Sequence, residues 1–167
     1  MMAQPKEQII LVDTNVWLDA FFPYRPHTQE ACAFLNKAIG LGYNLAYPVH
    51  ALKDLSYIAC REMKLRLGSD NKTTSAQDVQ AIRSIAWSCV EYVRDMATAV
   101  GADESDAWLA CKYRSLNDDL EDNFVLAAAK RAHAAFLVTS DEMLLRKATV
   151  EAHTPADALV LLSMMDD

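Results

Sequence analysis

No uninterrupted apolar run in this chain is long enough to span a bilayer, which excludes a hydropathy-readable transmembrane helix. The opening residues Met1 to Gln8 are polar, with Pro5, Lys6 and Glu7, so no secretory signal is expected. A cytoplasmic protein with no membrane partner is the resulting expectation. The four cysteines, Cys32, Cys60, Cys89 and Cys111, lack CxxC spacing and stand in apolar helical contexts, as reduced core thiols would. His27, His50, His133 and His153 form neither an HxxxH nor an HExxH pattern, so zinc is not expected. Basic residues are also few: 16 Lys and Arg stand against 23 Asp and Glu, a net charge of −7. That balance excludes nucleic-acid binding driven by a global positive field. It does not exclude a nucleic-acid substrate, because bound divalent cations invert the local field of a carboxylate cluster. The local basic groups at Lys53, Arg61, Lys64 and Arg66, at Lys112 with Arg114, and at Lys130 with Arg131 read as solvated helix faces.

Repeats, low-complexity tracts and long linkers are absent too. With 167 residues and 52% hydrophobic composition, one domain over 1–167 with a substantial core is expected, residues 1–8 being a polar leader.

What is present begins with Ile9-Ile10-Leu11-Val12, which runs straight into Asp13-Thr14-Asn15 and a helix-like stretch over 16–22. A short β-branched run of this kind fits a strand buried on both faces, as in a parallel sheet covered by helices. Asp13 then stands at the carboxyl end of the strand, where open α/β sheets place ligand sites. Its alternative role is capping, with Asp13 or Asn15 accepting N–H bonds from the first helical turn. The pattern recurs at Ala135-Phe136-Leu137-Val138, followed by Thr139-Ser140-Asp141 and a helical stretch over 142–148. Between the two lie Asp118, Asp119, Glu121 and Asp122, ahead of an alanine-rich helical segment over 123–135. Asp122 would begin that helix, where the dipole favours a carboxylate that can also face a shared cavity.

The rest of the chain alternates. Pro23 and Pro26 mark a turn, and a helix is predicted over 27–40 with Ala31, Phe34, Leu35, Ala38 and Ile39 on its apolar stripe. A strand over 44–48 and a helix over 49–67 follow, with Leu52, Leu55, Tyr57, Ile58 and Met63 as core candidates. Residues 68–75 read as a loop. A helix over 76–94 carries Val79, Ile82, Ile85, Ala86, Cys89, Val90 and Val93 at helical spacing. A strand over 96–100, a helix over 104–116, a strand over 149–152 and a helix over 155–165 complete the alternation. The fold class expected is α/β: a three-layer sandwich whose central, mostly parallel sheet has four to five short strands flanked by helices.

If Asp13, Asp122 and Asp141 converge, they cannot all stay ionised without a neutralising cation. Oxygen ligands without His or Cys select magnesium or manganese. Such ions activate water and stabilise the leaving oxygen in attack on a phosphodiester. Thr14, Asn15, Thr139 and Ser140 are expected to orient the carboxylates.

These residues resemble a known family. The segment Val12-Asp13-Thr14-Asn15-Val16-Trp17-Leu18-Asp19 is similar to the opening motif of PIN-domain ribonucleases. Asp119-Leu120-Glu121-Asp122 resembles the family's third acidic block, Phe136 to Asp141 its final strand and acid, and Thr154-Pro155-Ala156-Asp157 its closing turn. The resemblance covers nearly the whole chain in the family's order. It implies a PIN-like fold and an endoribonuclease dependent on Mg2+ or Mn2+, with Asp13, Asp122 and Asp141 as metal ligands. The family's second acid, usually Glu, would correspond to Asp54, which is one methylene shorter. Asp54 would therefore ligate directly, ligate through water, or stand as a helix-surface charge; Glu62, further along, is expected to be solvated. Asp119 and Glu121 could assist. The resemblance further implies an RNA substrate, single-stranded or looped, and the toxin role in a toxin–antitoxin pair, with an antitoxin partner and a homodimer. Trp17, Phe21 and Phe22 are either partner surface or core. Lys53, Arg25 and Arg146 are the basic groups placed to hold RNA.

Two other classes gather carboxylates at strand ends. Aspartyl phosphatases need a second Asp two positions after the first, where Asn15 stands, and receiver domains need an Asp after a middle strand, which 44–48 does not provide. A PIN-like scaffold without activity, acting as a protein- or RNA-binding module, is the remaining alternative, supported by the Asp at position 54.

Overall fold

The computed structural model describes residues 6–68 and 74–165. Its elements alternate as β1 (Lys6–Val12), α1 (Thr14–Phe21), α2 (Thr28–Gly40), β2 (Tyr43–Pro48), α3 (Ala51–Gly68), α4 (Ala76–Met96), β3 (Thr98–Val100), α5 (Glu104–Lys112), α6 (Leu120–Arg131), β4 (Phe136–Val138), α7 (Glu142–Lys147), β5 (Ala152–His153) and α8 (Pro155–Met164). The five strands form one sheet in the order β3-β2-β1-β4-β5, every pairing parallel. Parallel neighbours need crossover connections, and the helices supply them.

The run of β-branched residues in β1 is buried on both faces, as its composition suggested: Ile10, Leu11 and Val12 are all at 0% exposure. Period-two alternation sends Ile10, Val12, Leu45, Tyr47, Phe136 and Val138 to one side, against apolar residues of α1, α2, α3, α4 and α8. Leu11, Ala46 and Leu137 go to the other, against Tyr113, Leu126 and Ala129 and against Leu144 of α7. Register sets Leu11 opposite both Ala46 and Leu137, and Val12 opposite Val138. The chain winds outward from β1 through β2 to β3 and then resumes on β1's other side with β4. The switch point therefore lies between the carboxyl ends of β1 and β4, where ligands bind in open α/β sheets.

Several boundaries differ from the sequence expectations for local reasons. Strand β1 starts at Lys6, inside the expected leader; residues 1–5 of that leader lie outside the described residues. Val49 donates its N–H to Val100 O at 2.9 Å, which extends the strand pairing and delays α3 to Ala51. Helix α6 starts at Leu120, not 123, because Asp119 Oδ1 accepts the N–H groups of Glu121 and Asp122. It stops at Arg131, with His133 in the left-handed region at φ 48°. The helix expected over 104–116 ends at Lys112 and tightens into a 3-10 turn at Tyr113–Ser115. The last strand is Ala152–His153, where it pairs with Leu137 and Val138. Of the expected loop 68–75, Gly68 closes α3, Ser75 caps α4, and 69–73 lie outside the described residues.

Two side-chain expectations also fail. Tyr57 and Ile85 are exposed although their spacing suggested core, because α3 and α4 each bury a narrower stripe, Ala51, Leu55 and Ala59 against Ile82, Ala86, Cys89 and Val93. Cys111 is exposed, whereas Cys89 is buried and Cys32 and Cys60 are partly so; all four are free thiols. Trp17 and Phe22 belong to the core and Phe21 packs on it, so they are not a partner surface. No helix among the described residues is long and apolar enough to cross a membrane.

Candidate active site

Strand β1 ends at Val12 and delivers Asp13 to the switch point. Its backbone N–H donates to Val138 O at 3.0 Å, which fixes it beside β4. Asp13 Oδ1 accepts from Thr14 N at 2.7 Å, and Oδ2 accepts from the buried hydroxyl of Thr139 at 2.8 Å. The same hydroxyl oxygen accepts the backbone N–H of Asp141 at 3.0 Å. One threonine thus joins the two strand-end acids. Asp141 caps α7, its Oδ1 accepting from Met143 N and Leu144 N at 2.7 and 3.1 Å.

The acids of α6 meet this pair from a third direction. Asp119 is the cap, and Asp122, in the first turn, accepts at Oδ2 from Asn117 Nδ2 at 2.9 Å. Asn117 is buried and held in turn, its carbonyl accepting from Asn123 Nδ2 at 2.8 Å and its Oδ1 from Lys147 Nζ at 3.4 Å. Asp54 stands partly buried on α3, 3.9 Å from the ammonium of the exposed Lys53.

These groups feel one another's charge. Burial pushes the Asp13 carboxyl up to about 6, the Thr139 and Thr14 hydrogen bonds resisting and the charges of Asp122 and Asp141 adding to the rise. Asp122 is raised by desolvation, with Asp119 and Asp141 adding and the Asn117 bond and Lys147 opposing. Glu121 is raised by desolvation and then by Asp54, Asp13, Asp119 and Asp122. Acids from β1, α3, α6 and the β4–α7 junction therefore share one field.

Capping alone does not explain Asp13. A cap contributes about 1 kcal/mol. A rise from 3.8 to about 6 corresponds to ~3 kcal/mol spent on keeping the carboxylate ionised in the fold. A surface cap would avoid that cost; a binding site does not.

The oxygen-only donor set fits a hard divalent cation. Among the described residues no three acids stand in position to grip an ion together. Magnesium suits such a set, since it keeps several waters and takes only one or two carboxylates directly.

Some expected roles fall elsewhere. Ser140 donates to Asp19 Oδ2 at 2.6 Å, and Asn15 Oδ1 is 3.5 Å from Arg25 Nη2, so neither orients the acids of the site. Thr14 contributes its backbone N–H. Arg25 is not available to RNA: it ion-pairs with the buried Asp19 at 2.7 Å and with Glu62. Glu62 is accordingly paired rather than solvated. Arg146 is exposed and pairs with Glu142 along α7. Sequence reasoning missed Asn117 and Lys147, which carry no spacing signal. It also missed the anchoring role of Asp19, for which a signal existed: a lone acid after Val16, Trp17 and Leu18.

A parallel sheet in this order, with carboxylates gathered at its switch point and no histidine or cysteine among them, defines an acid-site α/β protein. The family model for the PIN domain matches residues 9–143. The chain belongs to the PIN-domain family, a family of nucleases. No curated protein sequence matches it. Among solved structures it is similar to VapBC2 from Rickettsia felis, bound to a DNA fragment from their promoter, with a TM-score of 0.61 and 13% identity over 88% of this chain and 98% of that one. It is also similar to PAE2754 from Pyrobaculum aerophilum, at 0.60 and 18% over 94% and 90%. VapBC-1 from nontypeable Haemophilus influenzae matches at 0.54 and 14% over 89% and 98%. At these identities the likeness establishes the PIN-like fold.

Proposed function

We propose that this protein is an endoribonuclease, dependent on Mg2+ or Mn2+, that hydrolyses phosphodiester bonds in single-stranded or looped RNA. The observation that carries this is the Thr139 hydroxyl joining Asp13 to the Asp141 backbone at the sheet's switch point, with Asp122 in the same field. Asp13, Asp122 and Asp141 would hold the cation, with Asp54 and Glu121 at the rim. When bound, the ion supplies charge neutralisation and an acidic water for attack on phosphorus. The chain's own contribution is positional. Thr139 and the Thr14 N–H fix Asp13, Asn117 fixes Asp122, and the α7 N–H groups fix Asp141, so each acid is oriented by the fold before an ion draws them together.

With a net charge of −7, RNA is held by the metal site and nearby cations, Lys53 foremost, and selected by shape and exposed bases. Two of the similar folds come from VapBC toxin–antitoxin pairs. By that likeness we assign this single domain the toxin role, in the cytoplasm, with an antitoxin and a second copy as partners. Aromatic residues available to such partners include Tyr57 and Trp87, both exposed, in place of the buried Trp17 and Phe22.

The test is cleavage of a stem–loop RNA with magnesium, with manganese and with EDTA. Loop cleavage that needs metal supports the assignment, while cleavage surviving EDTA, or equal cleavage of duplex DNA, overturns it. A scaffold that binds without cutting is favoured by one observation, the lack among the described residues of a ready-made three-acid cage. Calorimetric magnesium titration separates the two: a nuclease shows a site that Asp13→Asn removes.

A further inference from the structure

Beside the acids lies a cleft of about 460 Å³ that the metal chemistry does not use. It falls within the usual size range of small-ligand sites, roughly 300–1,000 Å³. Asp54 and Glu121 border it, so it is continuous with the carboxylate field. Its other walls are not acidic. The rings of His50 and Phe124 meet edge to face with centroids 5.6 Å apart, and Val49 and Leu120 stand 45% and 56% exposed around them. Lys53 stands at the cleft with its side chain 86% exposed. Aliphatic and aromatic surface left open beside a charged site indicates a ligand with a flat apolar face and a polar edge.

His50 adds a polar demand. Its Nε2 is buried and has no hydrogen-bond partner among the described residues. Desolvation keeps the imidazole below its ordinary range, so near pH 7 the ring is neutral and offers one donor and one acceptor nitrogen. A buried ring nitrogen left unpaired is costly; being closed to solvent, it leaves the ring itself, with Phe124, as what the cleft offers a base.

We propose that this cleft is a nucleobase subsite, in which one unpaired base of the RNA stacks on the His50–Phe124 pair while Lys53 meets an adjoining phosphate. This rests on the ribonuclease reading above and adds to it a source of base preference. A peptide could also enter an apolar cleft, and the bordering acids would suit a basic one, but the aromatic surface of His50 and Phe124 beside the exposed Lys53 matches a base with its phosphate.

The test uses the Asp13→Asn protein, so that RNA survives the measurement. The four nucleoside 5′-monophosphates are titrated while the His50 ring protons are followed by NMR, and a labelled single-stranded oligoribonucleotide is titrated by anisotropy. At least one nucleotide should shift His50. Phe124→Leu, which keeps apolar volume, and His50→Gln should each weaken oligonucleotide binding roughly 10-fold, as loss of a stacked base does. In the active protein the same variants should alter base preference at the cut site and raise KM with kcat held. Unchanged binding and base preference in both folded variants overturns the subsite, as does a His50 response to a basic peptide and to no nucleotide. Nucleotide binding at His50 in a protein that cuts no RNA supports the subsite and sinks the ribonuclease reading instead. RNA cleavage whose base preference ignores both variants does the reverse.

Discussion

Replacing Asp13 with Asn should stabilise the metal-free protein at neutral pH while it abolishes cleavage. The Asp13 carboxyl titrates at about 6 in the fold against 3.8 for the ordinary group, because burial opposes its charge more than Thr139 and Thr14 support it. Between those two values the folded chain binds more protons than the unfolded chain. Stability therefore falls as pH rises from about 4 to 6 and is flat above that window. The penalty above pH 6 is ~3 kcal/mol, at about 1.4 kcal/mol for each pH unit. Asn has the shape of the protonated acid and escapes it. Urea unfolding in EDTA should show the variant more stable by up to ~3 kcal/mol at pH 7.5, with the gap shrinking toward zero near pH 4. In melting temperature that is roughly 2–4 °C per kcal/mol for a chain of this size. Magnesium at about 1,000 times its Kd should reverse the order, since it stabilises wild type by about 4.1 kcal/mol and the variant far less. A variant destabilised by the same margin at both pH values, and indifferent to magnesium, would refute this and leave Asp13 as a cap.

Asp141→Asn and Asp122→Asn should each lower RNA cleavage roughly 100-fold or more with circular dichroism unchanged, because Asn still accepts the bonds that the carboxylates take now. Asp54→Ala should give a partial loss rescued by higher magnesium or by manganese if it acts through water; full activity would place it on the solvated face. Arg25→Met should destabilise the fold by about 3–5 kcal/mol in urea melts, because Asp19 would be left buried and unpaired, and adding Asp19→Asn should restore much of that loss.

The legible parts of the chain were those where local pattern and tertiary environment agree. The Ile10–Val12 run and the Phe136–Val138 run specify two-sided burial by composition alone, so two of the sheet's inner strands could be read directly. Asp13 and Asp141 followed from them, as the first acids past each strand. What eluded reading was decided by contacts between distant segments. Nothing in Asn117 reveals that its amide holds Asp122 and its Oδ1 meets Lys147, since that depends on how the turn before α6 lies against α7. Arg25 looked like a free cation because its partners Asp19 and Glu62 sit on different helices. Tyr57 and Ile85 have core spacing, but α3 and α4 pack against each other along a stripe too narrow to reach them. The acids converge in the folded chain as a shared field, while direct coordination geometry depends on the ion itself.

The pairing of β1 with β4 bears on how the protein is made. Asp13 emerges from the ribosome well before Asp141, and the hydroxyl that joins them belongs to residue 139. A nascent chain that has folded β1, β2 and β3 has an open strand edge on β1 and only part of the acid cluster. Only when Phe136–Val138 adds to that edge do Thr139 and Asp141 arrive. Pairing over so long a separation is slow to form, since the loop must close before the contact is gained. Prematurely terminated chains that stop short of β4 therefore lack Thr139 and Asp141. In the nuclease proposed above, hydrolytic capability would arise only once β4 has joined the sheet, sparing the transcript and the ribosome until then.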